Sequence, residues 1–316
     1  MSERIGYSNN RFGLNNCQRE NGEETDGKEH GWFNETAALH SEDIVISTRI
    51  NRLIYQKRSD YQNILIFQNQ IFGRCLALDD AMQCTELDEC AYQEMMAFLP
   101  LNVHNDPKRV LIVGGGDGGV ARECCKHPLV EQIVQCEIDQ QVVDASKRYL
   151  PFMSEGFKND KLKLNFQDGY EFVRQNPNEF DVIITDSCDP KGPAELLFNN
   201  EYFQQLFQCL RPGGIICSQA ESYWYELKFI QSLFDRVSKI FPSISYATTS
   251  VPSYPSGQIG FLLASKEANV NFTEPKHRFS EEDCERFGLK YYSDSMHKAS
   301  FVLPRFVQKA LKQSRK

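Results

Sequence analysis

The sequence lacks a long hydrophobic run. No apolar stretch approaches the ~18–20 residues that cross a bilayer, and the mean hydropathy is −0.48. The first segment, MSERIGYSNNRFGLNN, contains no uninterrupted apolar stretch of the kind that a secretory signal requires. For this chain of 316 residues we therefore expect no membrane association and a cytoplasmic location.

Basic residues are outnumbered as well. The chain has 35 Lys and Arg against 43 Asp and Glu, which gives a formal net charge of −8. No concentrated basic stripe compensates for this balance, and a nucleic-acid surface would require one. We expect no nucleic-acid partner, whereas a cationic ligand would suit the acidic balance.

The sequence also lacks the spacings of metal sites and disulfide scaffolds. Its 11 cysteines are odd in number and form no C-x-x-C motif, and its 6 histidines form no H-x-x-x-H motif. Cysteines such as Cys136 and Cys217 lie inside apolar segments, where a reduced thiol acts as a small hydrophobic side chain. We predict reduced core thiols, no metal and no metal-binding residues.

The composition divides the chain into three parts. Residues 1–30 are polar and rich in Asn and Glu, which predicts a disordered tail. Residues 31–105 hold β-branched and aromatic segments broken by Asn, Gly and Asp, which predicts a β-rich domain. This domain would end in a linking helix over 86–99 that stops before Pro100. Residues 106–316 form the third part.

The third part alternates between short apolar segments and helical segments. Such alternation predicts an open parallel sheet with helices on both faces, that is, an α/β fold. A turn over 211–214 (RPGG) separates the last helix from the last strand. The expected strands cover 109–113, 132–137, 162–166, 181–185 and 215–218, and the clearest helices cover 140–149 and 200–210.

A glycine-rich loop follows the first of these strands. Residues 114–119 read GGGDGG, a G-x-G-x-x-G pattern whose glycines allow a sharp turn and close approach of the backbone to a nucleotide. Glu137 ends the next strand, where its carboxylate could accept both ribose hydroxyls. A dinucleotide would use the same features, so an NAD-dependent oxidoreductase remains an alternative at this point.

Two later motifs favour a different nucleotide ligand. Asp168 and Gly169 follow the third strand, where a carboxylate can accept a hydrogen bond from an adenine amino group. The LRPGG turn before an apolar strand is familiar from S-adenosylmethionine-dependent transferases. Each motif is also common where no ligand binds, so neither alone decides which nucleotide the protein binds.

Two carboxylates follow a buried strand in the segment DVIITDSCDP. Asp186 and Asp189 lie beyond the carboxyl end of that strand, where ligands bind in open α/β sheets. Two acids in one concave site suit a cationic substrate, and one of them could act as a base. The plain structural interpretation is an Asx turn in which Asp189 precedes Pro190.

The motifs VLIVGGGDGGVARE, DGYEF, DSCDPKGPAELLF and SYPSGQIGF occur in this order. With RSDYQNILIF and AYQEMMAFLP upstream and KYYSDSMHKASFVLP downstream, the chain resembles the polyamine aminopropyltransferase family, and its spermidine synthases in particular, over residues 32–310. The resemblance implies a Rossmann-like S-adenosylmethionine-dependent-transferase fold with a small N-terminal β-stranded domain. It also implies a homodimer that needs no cofactor.

The implied reaction transfers the aminopropyl group of decarboxylated S-adenosylmethionine to putrescine, giving spermidine and 5′-methylthioadenosine. By resemblance, Asp186 is the general base, Tyr92 supports it, and Asp189 holds the attacking amine. The residues implied for the donor are Gln62, Gln93, Gly114, Gly116, Asp117, Glu137, Asp168 and Gly169. The residues implied for putrescine are Tyr92, Asp186, Asp189, Gln219, Glu221 and Tyr254.

Asp117 bears on the choice of donor. Its carboxylate would bind the donor's aminopropyl ammonium and repel the carboxylate of ordinary S-adenosylmethionine. Two positions depart from the family pattern: His40 stands where a tryptophan is usual, and Lys191 stands in a loop, 189–193, that we interpret as a lid. Acceptor preference therefore stays open between a spermidine synthase and a spermine or thermospermine synthase, and a putrescine N-methyltransferase or a non-catalytic scaffold are further alternatives.

Overall fold

The computed structural model describes residues 31–35, 44–190 and 192–313. The predicted disordered tail over 1–30 lies outside the described residues, as do His40 and Lys191.

Six antiparallel strands make up the N-terminal part. Strand β1 (Trp32–Glu35) pairs with β2 (Ile46–Arg49) in a separate two-stranded sheet. A four-stranded meander follows, built from hairpins between consecutive strands. Its strands are β3 (Arg52–Arg58), β4 (Asn63–Asn69), β5 (Gly73–Leu78) and β6 (Ala81–Thr85). The predicted β-rich character of this segment agrees with these strands, while the boundary at 105/106 stays a prediction.

Helix α1 (Glu89–Val103) corrects the predicted linking helix. We expected the helix to stop before Pro100, since a proline inside a helix removes a backbone donor and crowds the preceding turn. Instead the helix runs through Pro100 for three more residues. Burial explains the difference, because every residue from Ala91 to Val103 is buried and packing on all sides outweighs the local cost.

A seven-stranded sheet forms the larger part, in the order β12-β13-β11-β10-β7-β8-β9. Its strands are β7 (Arg109–Gly114), β8 (Gln132–Glu137), β9 (Leu162–Phe166), β10 (Phe180–Asp186), β11 (Leu210–Gln219), β12 (Ser243–Ser250) and β13 (Gln258–Ser265). Strands β7 to β11 are parallel, as predicted, but β12 and β13 pair antiparallel at one edge. The short connection over 251–257 requires this, because parallel neighbours need a long crossover.

The predicted RPGG turn lies inside β11 and not before it. The register with β10 jumps from Phe180–Leu210 to Val182–Ile215, so residues 211–214 bulge out of the ladder. Gly213 takes the left-handed conformation there, with φ of 77°. A bulge thus replaces the separate turn that we expected.

Helices cover both faces of the large sheet, as the alternating pattern predicts. The hydrophobic core on one face includes α1 and α2 (Gly119–Lys126). The core on the other face includes four helices: α5 (Gly169–Gln175), α6 (Asn200–Cys209), α7 (Leu227–Ser238) and α10 (Arg305–Gln313). Helices α3 (Gln140–Tyr149) and α4 (Pro151–Ser154) pack against the four-stranded sheet. The short helices α8 (Glu281–Phe287) and α9 (Asp294–Ala299) precede α10. Across the described ranges, no helix has both the length and the apolar character to cross a membrane.

Candidate active site

A cavity of about 470 Å³ opens at the carboxyl ends of the central parallel strands. Ligands of open α/β sheets bind at this edge. The four-stranded sheet, strand β1, the loops after β10 and β11, and the segment 254–259 supply further walls. All the predicted site residues except Gln93 line this cavity: Gln62, Tyr92, Gly114, Gly116, Asp117, Glu137, Asp168, Gly169, Asp186, Asp189, Gln219, Glu221 and Tyr254.

The glycine loop packs directly against the end of β10. Gly114 and Gly115 take left-handed backbone conformations, with φ of 86° and 72°. A Cβ at Gly114 would collide with the carbonyl oxygen of Asp186, while the Gly115 N–H donates to that same oxygen at 2.9 Å. The Gln135 side chain donates to the carbonyl oxygens of Gly114 and Gly115 at 2.8 and 2.7 Å. Sequence reasoning did not identify Gln135, and the loop conformation depends on it.

Asp117 lies in the loop just before α2. Its Oδ1 accepts the Gly119 N–H at 2.6 Å, and the Gln93 side chain donates to both its oxygens at 3.2 and 3.3 Å. Gln93 thus contacts Asp117 without lining the cavity. Burial raises the pKa of Asp117, while the hydrogen bonds from Gly119 and Gln93 and the charge of Arg122 oppose that rise.

Glu137 ends β8 and is only 8% exposed. Its Oε1 accepts the Asp139 N–H at 2.8 Å. The Asp139 carboxylate caps α3 by accepting the Gln141 N–H at 3.0 Å, and it accepts hydrogen bonds from Ser59 at 2.6 Å and from Gln62 at 3.1 Å. Burial raises the pKa of Glu137 to about 7, and the charge of Asp139 acts in the same direction.

Asp139 is a residue that sequence reasoning missed. Its place directly before a helix is the signature of an N-cap, so a local signal existed. Its contacts with Ser59 and Gln62, however, join segments that are 80 and 77 residues apart. They tie the turn between β3 and β4 to the segment after Glu137, which lines the cavity.

Asp168 and Gly169 form the start of α5. Asp168 Oδ1 accepts the Tyr170 N–H at 2.8 Å and so caps this helix. Gly169 is buried against Val113, with which a Cβ would be in close contact. A carboxylate has several acceptor positions, so the cap leaves Asp168 able to accept a further hydrogen bond.

Tyr92 and Asp186, which both line the cavity, form a direct hydrogen-bonded pair. Tyr92 is 6% exposed, and its Oη donates to Asp186 Oδ1 at 2.8 Å. Burial raises the pKa of Asp186 to about 8, and the charge of Asp117 adds to the rise while the Tyr92 bond lowers it. Burial also holds the pKa of Tyr92 well above its usual range, so the phenol remains a donor at neutral pH.

A second group of residues lines the same cavity. Gln219 donates to Glu221 Oε1 at 3.3 Å, and both side chains are buried. The hydroxyl of Tyr254 donates to the Gln83 carbonyl at 2.6 Å, and the rings of Tyr254 and Tyr92 lie 6.0 Å apart in an edge-on arrangement.

Glu35 also lines the cavity, and sequence reasoning missed it. It lies on β1, is 2% exposed, and accepts the Met82 N–H at 3.2 Å. Burial raises its pKa to about 8, and the charge of Asp189 acts in the same direction. A single acid in the segment WFNE gave no local signal of a site.

The loop after β10 forms one wall of the cavity through Ser187, Cys188, Asp189, Ala194, Leu196 and Leu197. Cys188 donates to Gln83 Oε1 at 3.5 Å, which joins the loop to β6. A 3-10 helix over Gly192–Phe198 carries its second half. That this loop opens and closes as a lid stays a prediction.

The charge of the cavity is one-sided. Among the described residues that line it are Glu35, Asp117, Glu137, Asp186 and Asp189, and no Lys, Arg or His. Burial is the main cause that raises the pKa values of Glu35, Asp117, Glu137 and Asp186, and neighbouring acids add to the rise at Glu35, Glu137 and Asp186. The site is therefore suited to a ligand that carries positive charge.

Comparisons with known proteins agree with this geometry. Residues 89–274 match the family model described as "Spermine/spermidine synthase domain", and residues 31–86 match "Spermidine synthase tetramerisation domain". The chain is 46% identical to spermidine synthase of Schizosaccharomyces pombe over 278 residues, covering 88% of this chain and 93% of that protein. It is 41% identical to spermine synthase SPE4 of Saccharomyces cerevisiae, covering 90% of this chain and 96% of that protein.

The structure is also similar to solved ones. A crystal structure of a spermidine synthase in complex with the transition state analogue AdoDATO matches with a TM-score of 0.84 and 37% identity, covering 92% of this chain and 98% of that chain. The spermidine synthase from Thermotoga maritima matches with a TM-score of 0.80 and 36% identity over the same shares. These matches confirm the predicted fold class, and the chain belongs to the spermine/spermidine synthase family.

Proposed function

We propose that this protein is a spermidine synthase, which transfers the aminopropyl group of decarboxylated S-adenosylmethionine to putrescine. The observation that carries the proposal is the Tyr92–Asp186 pair in an acidic cavity, 2.8 Å between Oη and Oδ1. The pair supports the proposal, because a buried carboxyl in an acidic cavity is suited to accept a proton from a cationic amine. The products are spermidine and 5′-methylthioadenosine.

The donor occupies the end of the cavity that the glycine loop forms. Glu137 accepts the two ribose hydroxyls, Asp168 with Gly169 holds the adenine, and Gln62 lies along the donor chain. Asp117 accepts the donor's ammonium group, and Gln93 holds that carboxylate through its two hydrogen bonds. A methionine carboxylate would meet Asp117 and Asp186 as like charges, so the decarboxylated donor is favoured.

The chemistry requires a base but no acid. The attacking ammonium gives a proton to Asp186, and its nitrogen then bonds to the carbon next to the sulfonium. The carbon–sulfur bond breaks and its electron pair goes to sulfur, which leaves as a neutral thioether. A carboxyl with a pKa near 8 is a stronger base than an ordinary one, which suits proton removal from an amine. Alignment of nitrogen, carbon and sulfur supplies much of the remaining rate.

The acceptor occupies the other end. Asp189 and Tyr92 hold the attacking amine, and Gln219 and Tyr254 line the channel along the carbon chain. Glu221 and Glu35, both buried, provide negative charge for the distal ammonium. A buried ammonium needs such partners, because its transfer from water is otherwise very costly.

We further propose a cytoplasmic homodimer that uses no metal or cofactor. An oligomer is supported by the match of residues 31–86 to a tetramerisation domain. Trp32 on β1 is 62% exposed, which leaves an aromatic surface for a second subunit. Sedimentation equilibrium would measure the assembly, and a monomer at micromolar concentration would contradict it.

Product analysis by mass spectrometry tests the function. Purified protein would receive decarboxylated or ordinary S-adenosylmethionine, each with putrescine or with spermidine. Spermidine formed from the decarboxylated donor and putrescine supports the proposal. Asp186→Asn keeps the shape of the site without the base, and it should form no spermidine while still binding methylthioadenosine.

The other products would each contradict a different step. If the protein preferred to convert spermidine to spermine, it would be a spermine synthase. This second candidate function is supported by the similarity of the chain to a spermine synthase. N-methylputrescine would show that Asp117 does not exclude the methionine carboxylate. If no product formed from any pair of substrates, the protein would instead be interpreted as a non-catalytic scaffold.

A further inference from the structure

Asp88 occupies the N-cap position of α1, but its carboxylate does not cap that helix. Aspartate at this position normally accepts a backbone N–H from the first turn. Here the side chain is 5% exposed and is turned toward a distant loop. The backbone carbonyl of Asp88 accepts the Ala91 N–H at 3.0 Å, and the carboxylate takes part in a different interaction.

The partner of the Asp88 carboxylate is the segment that carries Tyr254. Asp88 Oδ2 accepts the Ser253 backbone N–H at 2.7 Å, and Oδ1 accepts the Ser253 hydroxyl at 3.0 Å. The Thr85 hydroxyl donates to Oδ1 at 2.6 Å and fixes the orientation of the carboxylate. Hydrogen bonds to an ionised acceptor are roughly twice as strong as neutral ones. Asp88 therefore fixes the residue directly before Tyr254, across 165 positions of sequence.

Tyr254 is held a second time by the same part of the chain. Its hydroxyl donates to the carbonyl of Gln83 on β6, at 2.6 Å. Together the two anchors determine where the tyrosine ring stands in the cavity, beside Tyr92. The donor side is held by other contacts, in which Gln93 and Gly119 bind Asp117 and Asp139 binds Glu137.

We infer that Asp88 is a positioning residue for the amine acceptor: by fixing Ser253 it sets the place of Tyr254 in the acceptor channel. This inference rests on the proposed function. It predicts that the loss of Asp88 raises KM for putrescine without weakening the binding of the donor. A residue that merely stabilises the fold would not separate the two substrates.

The test measures steady-state kinetics of Asp88→Ala with putrescine and decarboxylated S-adenosylmethionine varied in turn. KM for putrescine should rise roughly tenfold or more, because charged hydrogen bonds to the loop are lost. The kcat at saturating putrescine and the Kd for methylthioadenosine should stay within about twofold of the wild-type values. Asp88→Asn should restore much of the KM, since its Oδ1 can accept the Ser253 N–H while its amide donates to the two hydroxyls.

Thr85→Val is the matched control. It removes one hydrogen bond from the same carboxylate but leaves both bonds to Ser253, so KM for putrescine should change much less. If Asp88→Ala does not fold, Ser253→Ala removes one bond to the loop without burying an unpaired charge, and a KM rise of about threefold is expected.

Three results separate the inference from the proposed function. An unchanged KM for putrescine in a folded Asp88→Ala or Ser253→Ala variant overturns the inference, as do equal losses for both substrates. Spermidine production by the wild type in the same assay keeps the proposed function in either case. If the wild type forms no spermidine, the proposed function fails and the inference fails with it.

Discussion

Asp117→Asn separates the charge of the glycine loop from its shape. The asparagine oxygen can keep the hydrogen bond from the Gly119 N–H, which is 2.6 Å in the wild type. Its amide would face the Gln93 side chain, whose Oε1 is buried without a partner in the described part of the chain. A rotated Gln93 amide can accept that hydrogen bond. The variant therefore removes one negative charge while the loop keeps its bonds.

The size of the effect follows from the charge pair that is lost. Two unit charges about 4 Å apart interact by about 4 kcal/mol at an effective dielectric constant near 20. Desolvation of both groups offsets part of this, so a net loss of about 2–4 kcal/mol is expected for the decarboxylated donor. This corresponds to a rise in Kd of about 30- to 1000-fold. Methylthioadenosine has no ammonium group, so its Kd should change little.

A second consequence concerns the base. The charge of Asp117 is, after burial, the main cause that raises the pKa of Asp186 to about 8. Its removal lowers that pKa, so Asp186 stays deprotonated at lower pH. The acid limb of the kcat/KM profile should therefore move to lower pH in Asp117→Asn.

Calorimetric titration with both ligands and a pH profile measure these effects. Asp235→Asn is a suitable control, since it removes one carboxylate from the exposed pair with Lys239. It should change neither Kd nor the acid limb. Equal losses of affinity for the decarboxylated donor and methylthioadenosine would refute the assigned charge pair, and an unmoved acid limb would refute the coupling between the two acids.

Three further predictions address the same site. Tyr92→Phe removes the bond that lowers the pKa of Asp186, so the acid limb should move to higher pH; a limb that stays in place would argue against Asp186 as the titrating base. Gly114→Ala places a Cβ against the Asp186 carbonyl at a φ of 86°. The free energy of unfolding, measured by thermal denaturation, should fall by about 1–3 kcal/mol, and activity should be lost. An active variant of normal stability would contradict this prediction. Binding of the cationic donor should lower the pKa values of Asp186 and Glu137, about 8 and 7 in the free protein, and so release protons near pH 7.5. Calorimetry in buffers of different ionisation enthalpy measures this release, and equal heats in all buffers would contradict it.

Much of the large sheet could be predicted from the sequence because its signals are local. Strands β8 and β9 and helix α3 begin and end at the predicted residues, since each is an apolar or amphipathic segment between polar breaks. The residues after the strand ends, such as Asp117, Asp168 and Asp186, follow from the rule that parallel strands present their carboxyl ends to a ligand. The structure brings these residues to one cavity, while their individual roles in the reaction stay a prediction.

The missed features depend on contacts that are distant in sequence. Helix α1 passes through Pro100 because residues of the large sheet and the C-terminal segment surround it. Glu35 meets Met82 across 47 positions, and Gln135 meets the glycine loop across 20 and 21 positions. No periodicity or motif within either segment reports such a contact, so only the fold reveals it.

The one-sided charge of the cavity also bears on how the products separate. In the proposed mechanism, the donor carries a sulfonium and an ammonium before transfer, and Asp117 binds the ammonium. After transfer, the ammonium belongs to spermidine and the sulfur is neutral, so methylthioadenosine would keep its nucleoside contacts but would make no ion pair with Asp117. The carboxylate that would select the decarboxylated donor would therefore no longer hold the nucleoside product. Because burial and the charge of Asp117 raise the pKa of Asp186, departure of the cationic product would also favour reprotonation of Asp186, and binding of the next donor would have to displace that proton.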